Sequence, residues 1–245
     1  MNTSTGVVTF AGSSTYGLTA EVDSHMMKNS EWGAAVYLSH SKYGINYEIR
    51  INNNNSFTTG CGASEENAQS TSECQIAYGG VSDGTYPQST TGNITGIFDM
   101  SGGAREYVMG VLSDTNGNPR SGTASDWNSG FNGIVDDSEN NTSYTGGISF
   151  PNSKYYDLYL ESQFSGDFDT NMQLCTLETC GGHALNETVS WYNDFAVFVN
   201  PETPWFVRGG GFVGSIEAGA FSSNSNDGYI NDLSWRSVLV PGDGA

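Results

Sequence analysis

Side chains able to do covalent or metal chemistry are few in this chain, and their spacing argues against most catalytic arrangements. There are four cysteines, Cys61, Cys74, Cys175 and Cys180. Each pair is close in sequence and sits among Gly, Ser, Thr and Glu. Loop-closing disulfides Cys61–Cys74 and Cys175–Cys180 are the simplest pairing, as expected of a chain that folds in an oxidising compartment. Zinc is the rival reading, but it asks for a CxxC spacing or an adjacent His pair, and neither is present. His25, His40 and His183 are scattered along the chain. A lone histidine is more often a surface or hydrogen-bonded residue than a ligand.

Acid–base and nucleophilic chemistry fare no better. Ser, His and Asp all occur, but no nucleophile elbow does. The acid pairs Glu65-Glu66 and Asp136-Asp137 are adjacent, so on a strand they point to opposite faces. A glycosidase needs two carboxylates facing across a cleft, and no pattern here locates them. The Gly209-Gly210-Gly211 run lacks the Lys and Ser/Thr of a phosphate loop. Close backbone packing is its expected role.

The segment from Arg208 to Val240 has a different character. It opens on Arg208 and the triple glycine, passes a small-residue hinge at Ala218-Gly219-Ala220-Phe221, and closes on the apolar run Trp235-Arg236-Ser237-Val238-Leu239-Val240. Between hinge and closing run, Ser222 to Leu233 has almost no hydrophobic pattern. A regular frame around a patternless insert is the mark of a surface in which loops carry function and a scaffold carries stability.

The elements that must position this segment are read from composition and periodicity. The 245 residues predict one domain spanning 1–245, since no linker divides them. Thirty-two glycines and a charged fraction of 14% favour turns and loops over helices. Aromatics reach 12%, so Tyr and Trp are expected to supply much of the packing. The pattern predicts strands at Val7 to Phe10, Tyr47 to Ile51, Ala196 to Val199, Phe206 to Val207 and Ser234 to Val240. One helix is predicted from Ser30 to Tyr43, capped by Ser30, ended by Gly44, and burying Trp32, Ala35, Val36 and Ser39. Tyr155 to Leu160 reads as a short helix or strand. Asn52 to Thr95 and Val111 to Gly147 read as loops, the latter with an exposed acidic turn at Asp136-Asp137-Ser138-Glu139. The fold class is α+β with long irregular loops.

Net charge is −19, from 27 acids against 8 bases. A phosphate backbone and an anionic membrane surface would both be repelled, so neither nucleic acid nor membrane is the expected partner. No apolar run approaches membrane-spanning length, so no membrane insertion is expected. No signal peptide is legible. With disulfides expected, the protein is placed outside the cell, exported and anchored by sequence beyond this segment.

Three motifs carry a family resemblance. Ser30-Glu31-Trp32-Gly33-Ala34-Ala35-Val36-Tyr37-Leu38 is similar to the early helix of formylglycine-generating-enzyme-like domains. Gly96-Ile97-Phe98-Asp99-Met100-Ser101-Gly102-Gly103-Ala104-Arg105-Glu106-Tyr107-Val108 resembles that family's hallmark DMSGNVWEWV segment. Arg208-Gly209-Gly210-Gly211 and Ser234-Trp235-Arg236-Ser237-Val238 resemble its RGGSW and GFRV endings. In order and spacing these cover nearly the whole chain. The resemblance implies a C-type-lectin-like fold in its formylglycine-generating-enzyme (sulfatase-modifying factor) variant. The oxidases of the family use a cysteine pair just after the RGGS motif, where this chain has Phe212 to Phe221 and no sulfur. The thiolate nucleophile and copper ligand of that chemistry are absent, so neither oxidase activity nor copper is expected.

What remains resembles the variable proteins of diversity-generating retroelements, in which a lectin-type frame carries a C-terminal segment mutated at adenines, commonly in Asn codons. Such mutation yields Asn, Asp, Ser, Tyr, Ile, Phe, Leu, Val and Gly but never Trp, Lys, Glu, Gln or Met. Ser222, Ser223, Asn224, Ser225, Asn226, Asp227, Gly228, Tyr229, Ile230, Asn231, Asp232 and Leu233 are all permitted products, as are Phe212, Val213, Ser215 and Ile216. Glu217 and Trp235 are not, and they fall at frame positions. The variable region implied is about 208–240. The opening helix and the DMSGGAREYV wording also look like domains of surface or pilin-like proteins of gut bacteria. In the enzyme branch, the segment matching Asp99 to Glu106 binds calcium, so the resemblance implies a structural calcium held by Asp99, Gly102, Ala104 and Glu106. Calcium takes several oxygens at flexible geometry, which two carboxylates and turning carbonyls supply. The competing reading is a tight turn whose Glu106 pairs with Arg105 or another base.

The resulting expectation is a non-enzymatic, bacterial cell-surface binding module. Phe212, Val213, Ser215, Ile216 and Ser222 to Leu233, excepting Gly228, would form one exposed patch. Its Tyr/Ser/Asn/Gly palette is the one that paratopes use. The ligand would be a protein or glycan on another cell, phage or host surface. The alternative is a structural or pilin-like subunit using the same segment for assembly. A cryptic enzyme would require a pocket with perturbed carboxylates.

Overall fold

A computed structural model describes residues 23–51, 86–113, 136–137, 142–143, 153–160, 180–189, 191–199, 205–211, 218–226 and 233–240. The strand expected at Val7 to Phe10 and the Cys61–Cys74 pair lie outside these residues. Cys180 is buried and disulfide-bonded, and Cys175 lies outside the described residues.

The helix α1 spans Asn29–Ser39. It begins one residue earlier than its sequence signals suggest, because its cap comes from elsewhere. The Asp157 carboxylate accepts from the Ser30 backbone N–H at 2.7 Å and from the Ser30 hydroxyl at 3.0 Å. Glu31 accepts from the Lys28 N–H at 2.9 Å. Carboxylates at a helix N-terminus satisfy orphan N–H groups and complement the helix dipole. The helix stops at Ser39, short of Tyr43, where the Ser39 hydroxyl bonds back to the Val36 carbonyl at 2.5 Å. Its buried residues are Asn29, Trp32, Gly33, Val36 and Ser39.

Strands β1 (Asp23–Met26) and β10 (Ser237–Val240) pair antiparallel, joining the two ends of the described chain. A four-stranded sheet comprises β2 (Arg105–Val108), β7 (Trp205–Arg208), β8 (Ser223–Asn226) and β9 (Leu233–Trp235), in the order β8-β7-β2-β9. β3 (Gly110–Ser113) and β6 (Asp157–Leu160) pair in parallel, and β4 (Asp136–Asp137) pairs with β5 (Thr142–Ser143).

Several expectations are corrected here. Gly110–Ser113 is a strand, where residue types from Val111 onward predict a loop, and Asp136–Asp137 lies in a short ladder and not in a turn. Tyr155 to Leu160 resolves into a 3-10 turn at Ser153–Tyr155 followed by β6. Tyr47 to Ile51 alternates, with Ile49 buried and Tyr47 exposed, but it forms no ladder. Its carbonyls and amides are taken by loop partners instead, as where Ser101 donates to the Ile49 carbonyl. Ala196 to Val199 makes only a bridge to Ser223. The closing run Ser234 to Val240 is broken at Arg236 into β9 and β10, which belong to different sheets.

The core is aromatic, as composition implies. Trp32, Phe198 and Phe206 are fully buried, with Tyr159 packed 4.8 Å from Phe206 and Phe198 5.1 Å from it, centroid to centroid. Burying a side chain of this size contributes about 1.5–3 kcal/mol through loss of apolar surface to water.

Candidate functional site: the outward face of the four-stranded sheet

Strand alternation sorts the residues of this sheet into two sets. Register places Tyr107 opposite Val207 on one side and Trp235 on the other, and Val207 opposite Asn224. One row therefore runs Asn224, Val207, Tyr107, Trp235 across all the strands. Arg105 and its neighbour Leu233 lie on this same face. Glu106, Val108, Phe206, Arg208 and Ser223 lie on the other, and all are nearly inaccessible. Trp235 is 60% exposed and Arg105, Tyr107, Asn224 and Leu233 are half-buried, so the first face is the more open one, with Val207 covered at 2%.

The inward face is fixed by charge as well as by apolar packing. Arg208 is fully buried and donates to Asn29 Oδ1 at 3.2 Å, to the His183 carbonyl at 3.3 Å and to the Ala184 carbonyl at 2.5 Å. Burial pushes its guanidinium down to about 10. Arg236, at the break between β9 and β10, donates through Nε and Nη2 to the two carboxylate oxygens of Glu106. Both guanidinium groups lie near Trp32, with Arg208 5.9 Å and Arg236 5.6 Å from the ring centroid. The three sequence motifs meet at this tryptophan.

The outward face borders a cavity of about 150 Å³ lined by Arg105, Phe195, Val207, Gly210, Gly211, Ala218, Ser222 and Asn224. Gly211 and Ala218, which flank 212–217 in the sequence, both line it. Gly209 and Gly210 have φ of +79° and +63°. A Cβ at Gly210 would stand 2.4 Å from Ala218 Cα, so the glycine run serves close backbone packing.

The residues expected to bind ligand divide into three groups. Phe212, Val213, Ser215, Ile216, Asp227, Tyr229, Ile230, Asn231 and Asp232 lie outside the described residues. Asn224, Ser225 and Leu233 are half-buried, Asn224 lines the cavity, and Asn226 pairs with Trp205 in the ladder. Ser222 and Ser223 are both about 1% exposed; Ser222 lines the cavity, whereas Ser223 turns into the frame and not onto an exposed patch. Ser223 donates its hydroxyl to the Val197 carbonyl at 3.0 Å and its N–H to the Phe195 carbonyl at 2.8 Å. The patternless stretch begins as a strand because β7 offers it a ladder, and the alternation of that strand turns Ser223 inward.

Of the four residues expected to hold calcium, Glu106 has another partner. Glu106 is buried and has both oxygens engaged by Arg236, while Arg236 also donates to the Phe98 and Asp99 carbonyls, each at 3.2 Å. The Glu106 carboxylate is thus committed to a guanidinium together with the Phe98 and Asp99 carbonyls, and as arranged it is not open to a calcium ion. Arg105, the other base considered for Glu106, faces the cavity on the opposite side. Burial pushes the Glu106 carboxyl above its ordinary range, against the pull of Arg236. Among the described residues no group of three or more His, Cys, Asp or Glu side chains is placed to hold a metal ion.

Sequence spacing gave no sign of Asp194. It follows a turn in which Tyr192 and Asn193 both have positive φ, 55° and 64°. Its Oδ2 accepts the Phe221 N–H at 2.9 Å, and its Oδ1 faces Gly219 without a well-formed hydrogen bond. Burial pushes the carboxyl up to about 7, opposed by the backbone N–H of Phe221. Asp194 thereby ties the hinge to the Trp191–Phe195 turn. Phe221 is the hub of the contact, with Trp191 at 5.0 Å and His40 at 5.0 Å between ring centroids.

No protein-family model, curated protein or solved structure matches this chain.

Proposed function

We propose that this protein is a non-catalytic binding module of the formylglycine-generating-enzyme-like C-type-lectin class. It displays a diversified C-terminal segment of the kind made by diversity-generating retroelements, on a bacterial surface. The reading rests on one observation above others, the division of the sheet into a locked inward face and a half-open outward one. The motif residues Trp32, Glu106, Arg208 and Arg236 are committed to the frame. Asn224, Gly211 and Ala218, which belong to or flank the diversified positions, gather with Arg105 and Phe195 around the cavity. Tyr, Asn, Arg and Trp on such a face suit adaptable recognition of a protein or glycan.

The perturbed carboxylate that an enzyme would need is present in Asp194, but it serves the hinge backbone and is not among the cavity-lining residues. The absence of cysteine between Gly209 and Phe221 argues in the same direction.

The test is joint replacement of Asn224, Asp227, Tyr229 and Asn231 by other adenine-mutagenesis products. Binding profiles on glycan arrays and on a panel of cell-surface proteins should change while the melting temperature moves by less than about 4 °C, roughly 1 kcal/mol at this size. Collapse of the fold on replacement would count against display. Concentration-dependent self-assembly in light scattering would favour the structural-subunit alternative. A nearby imperfect copy of the 3′ coding segment, differing at adenines and beside a reverse transcriptase gene, would establish the origin of the diversity.

A further inference from the structure

We infer that the turn from Phe98 to Glu106 is built around an internal organic cation, the guanidinium of Arg236, which takes the Glu106 carboxylate that the family resemblance would assign to calcium. The oxygens at this turn are both carboxylate oxygens of Glu106 and the main-chain carbonyls of Phe98 and Asp99. Calcium collects donors of these same types, carboxylate and carbonyl oxygen. A guanidinium can collect them because its N–H groups fan out in a plane and its charge persists at every ordinary pH. The Arg236 guanidinium carbon also lies 5.6 Å from the Trp32 ring centroid, within cation–π range.

The backbone is shaped for this convergence. Asp99 sits at φ +62° and Gly102 at +72°, which bends the turn so that successive carbonyls do not diverge as they would along a strand. Gly102 is held there by its N–H bond to the Gly209 carbonyl at 2.7 Å. Arg236 is delivered from the opposite end of the sequence by the break between β9 and β10. Because those strands belong to different sheets, one side chain ties both sheets to the turn. The consequence is a turn whose integrity does not depend on calcium.

The experiment compares the intact chain with Arg236→Ala and with Glu106→Gln/Arg236→Ala, by thermal melting and calorimetric calcium titration, with chelator or with millimolar calcium chloride. The wild-type protein is expected to take up no calcium and to melt at the same temperature in both. Arg236→Ala is expected to melt several degrees lower, and calcium is expected to recover part of that loss. The double variant, lacking the carboxylate, should gain nothing. Calcium binding by the wild-type protein with a raised melting temperature overturns the inference. So does an Arg236→Ala protein that responds to calcium no more than the double variant. Should the alanine variant fail to fold, Arg236→Gln, which keeps hydrogen-bond donors and removes the charge, supplies the same comparison.

Discussion

Arg236 and Glu106 meet from positions 130 residues apart, the guanidinium donating to both carboxylate oxygens on the closed side of the sheet. Bidentate pairing of this kind is charge-assisted and directional. Removing the carboxylate with Glu106→Gln should leave Arg236 without its charged partner. The expected loss is about 3 kcal/mol, at the lower end for a broken buried pair because Arg236 retains some contact with water. Urea unfolding of the two proteins checks this.

Ser223 and Asn224 are neighbours with opposite fates. Ser223 is sealed against the Val197 carbonyl, whereas Asn224 opens on the cavity. Ser223→Tyr should therefore cost about 1–3 kcal/mol or more by overpacking. Asn224→Tyr should stay within about 0.5 kcal/mol of wild type, as surface changes generally do. Equal losses at both positions would sink the two-faced reading of the sheet.

Arg208 holds three acceptors: Asn29 Oδ1 and the Ala184 carbonyl in buried hydrogen bonds, and the His183 carbonyl in a partly buried one. Arg208→Met keeps length and removes every donor. Each acceptor left buried and unpaired costs about 1–3 kcal/mol. The variant is expected to be unstable by at least about 3 kcal/mol, read by denaturant titration. Arg208→Lys should rescue only part, since one ammonium cannot span the fork.

Asp194 sets a pH dependence. Its folded-state pKa, about 7, lies above the ordinary carboxylate value. The folded protein therefore holds this proton more tightly than the unfolded chain. The sign follows: the contribution to stability is complete below about pH 4 and declines as pH rises to about 7. Glu48 raises the Asp194 value further and Arg208 lowers it. Asp194→Asn keeps an acceptor for the Phe221 N–H and removes the titration. The stability difference between variant and wild type should thus widen in the variant's favour as pH rises from about 5 to about 7. A constant difference over that range would refute the assignment.

Gly210→Ala places a Cβ against Ala218 at a backbone φ of +63°. Strain of this type costs about 1–3 kcal/mol before any clash is counted. Thermal melting should register it, and a stable variant would mean that the frame around the cavity is looser than described.

Much of the frame could be read from residue types alone. Trp32 and Val36 fall on the buried face of a helix because their spacing follows the helical period, and Phe206 and Val207 sit in a strand because neighbouring apolar residues favour one. The role of the glycine run in close backbone packing was legible for the same local reason. Net charge and the positions of the cysteines are likewise legible without a structure, because they depend on content and not on arrangement.

Tertiary structure decided the rest. Ser30 looks like a helix cap in sequence, yet the cap arrives from Asp157 on a distant strand. Glu106 leaves a metal ion and a basic side chain both open as partners in sequence, and Arg236 is brought to it by a break between two sheets. Ser223 belongs to a stretch without hydrophobic pattern, and only pairing with β7 turns it inward while leaving Asn224 at the cavity. Which oxygen meets which cation, and which side of a strand faces water, are set by contacts between residues far apart in the chain. Local spacing carries the period of an element but not the identity of its neighbour.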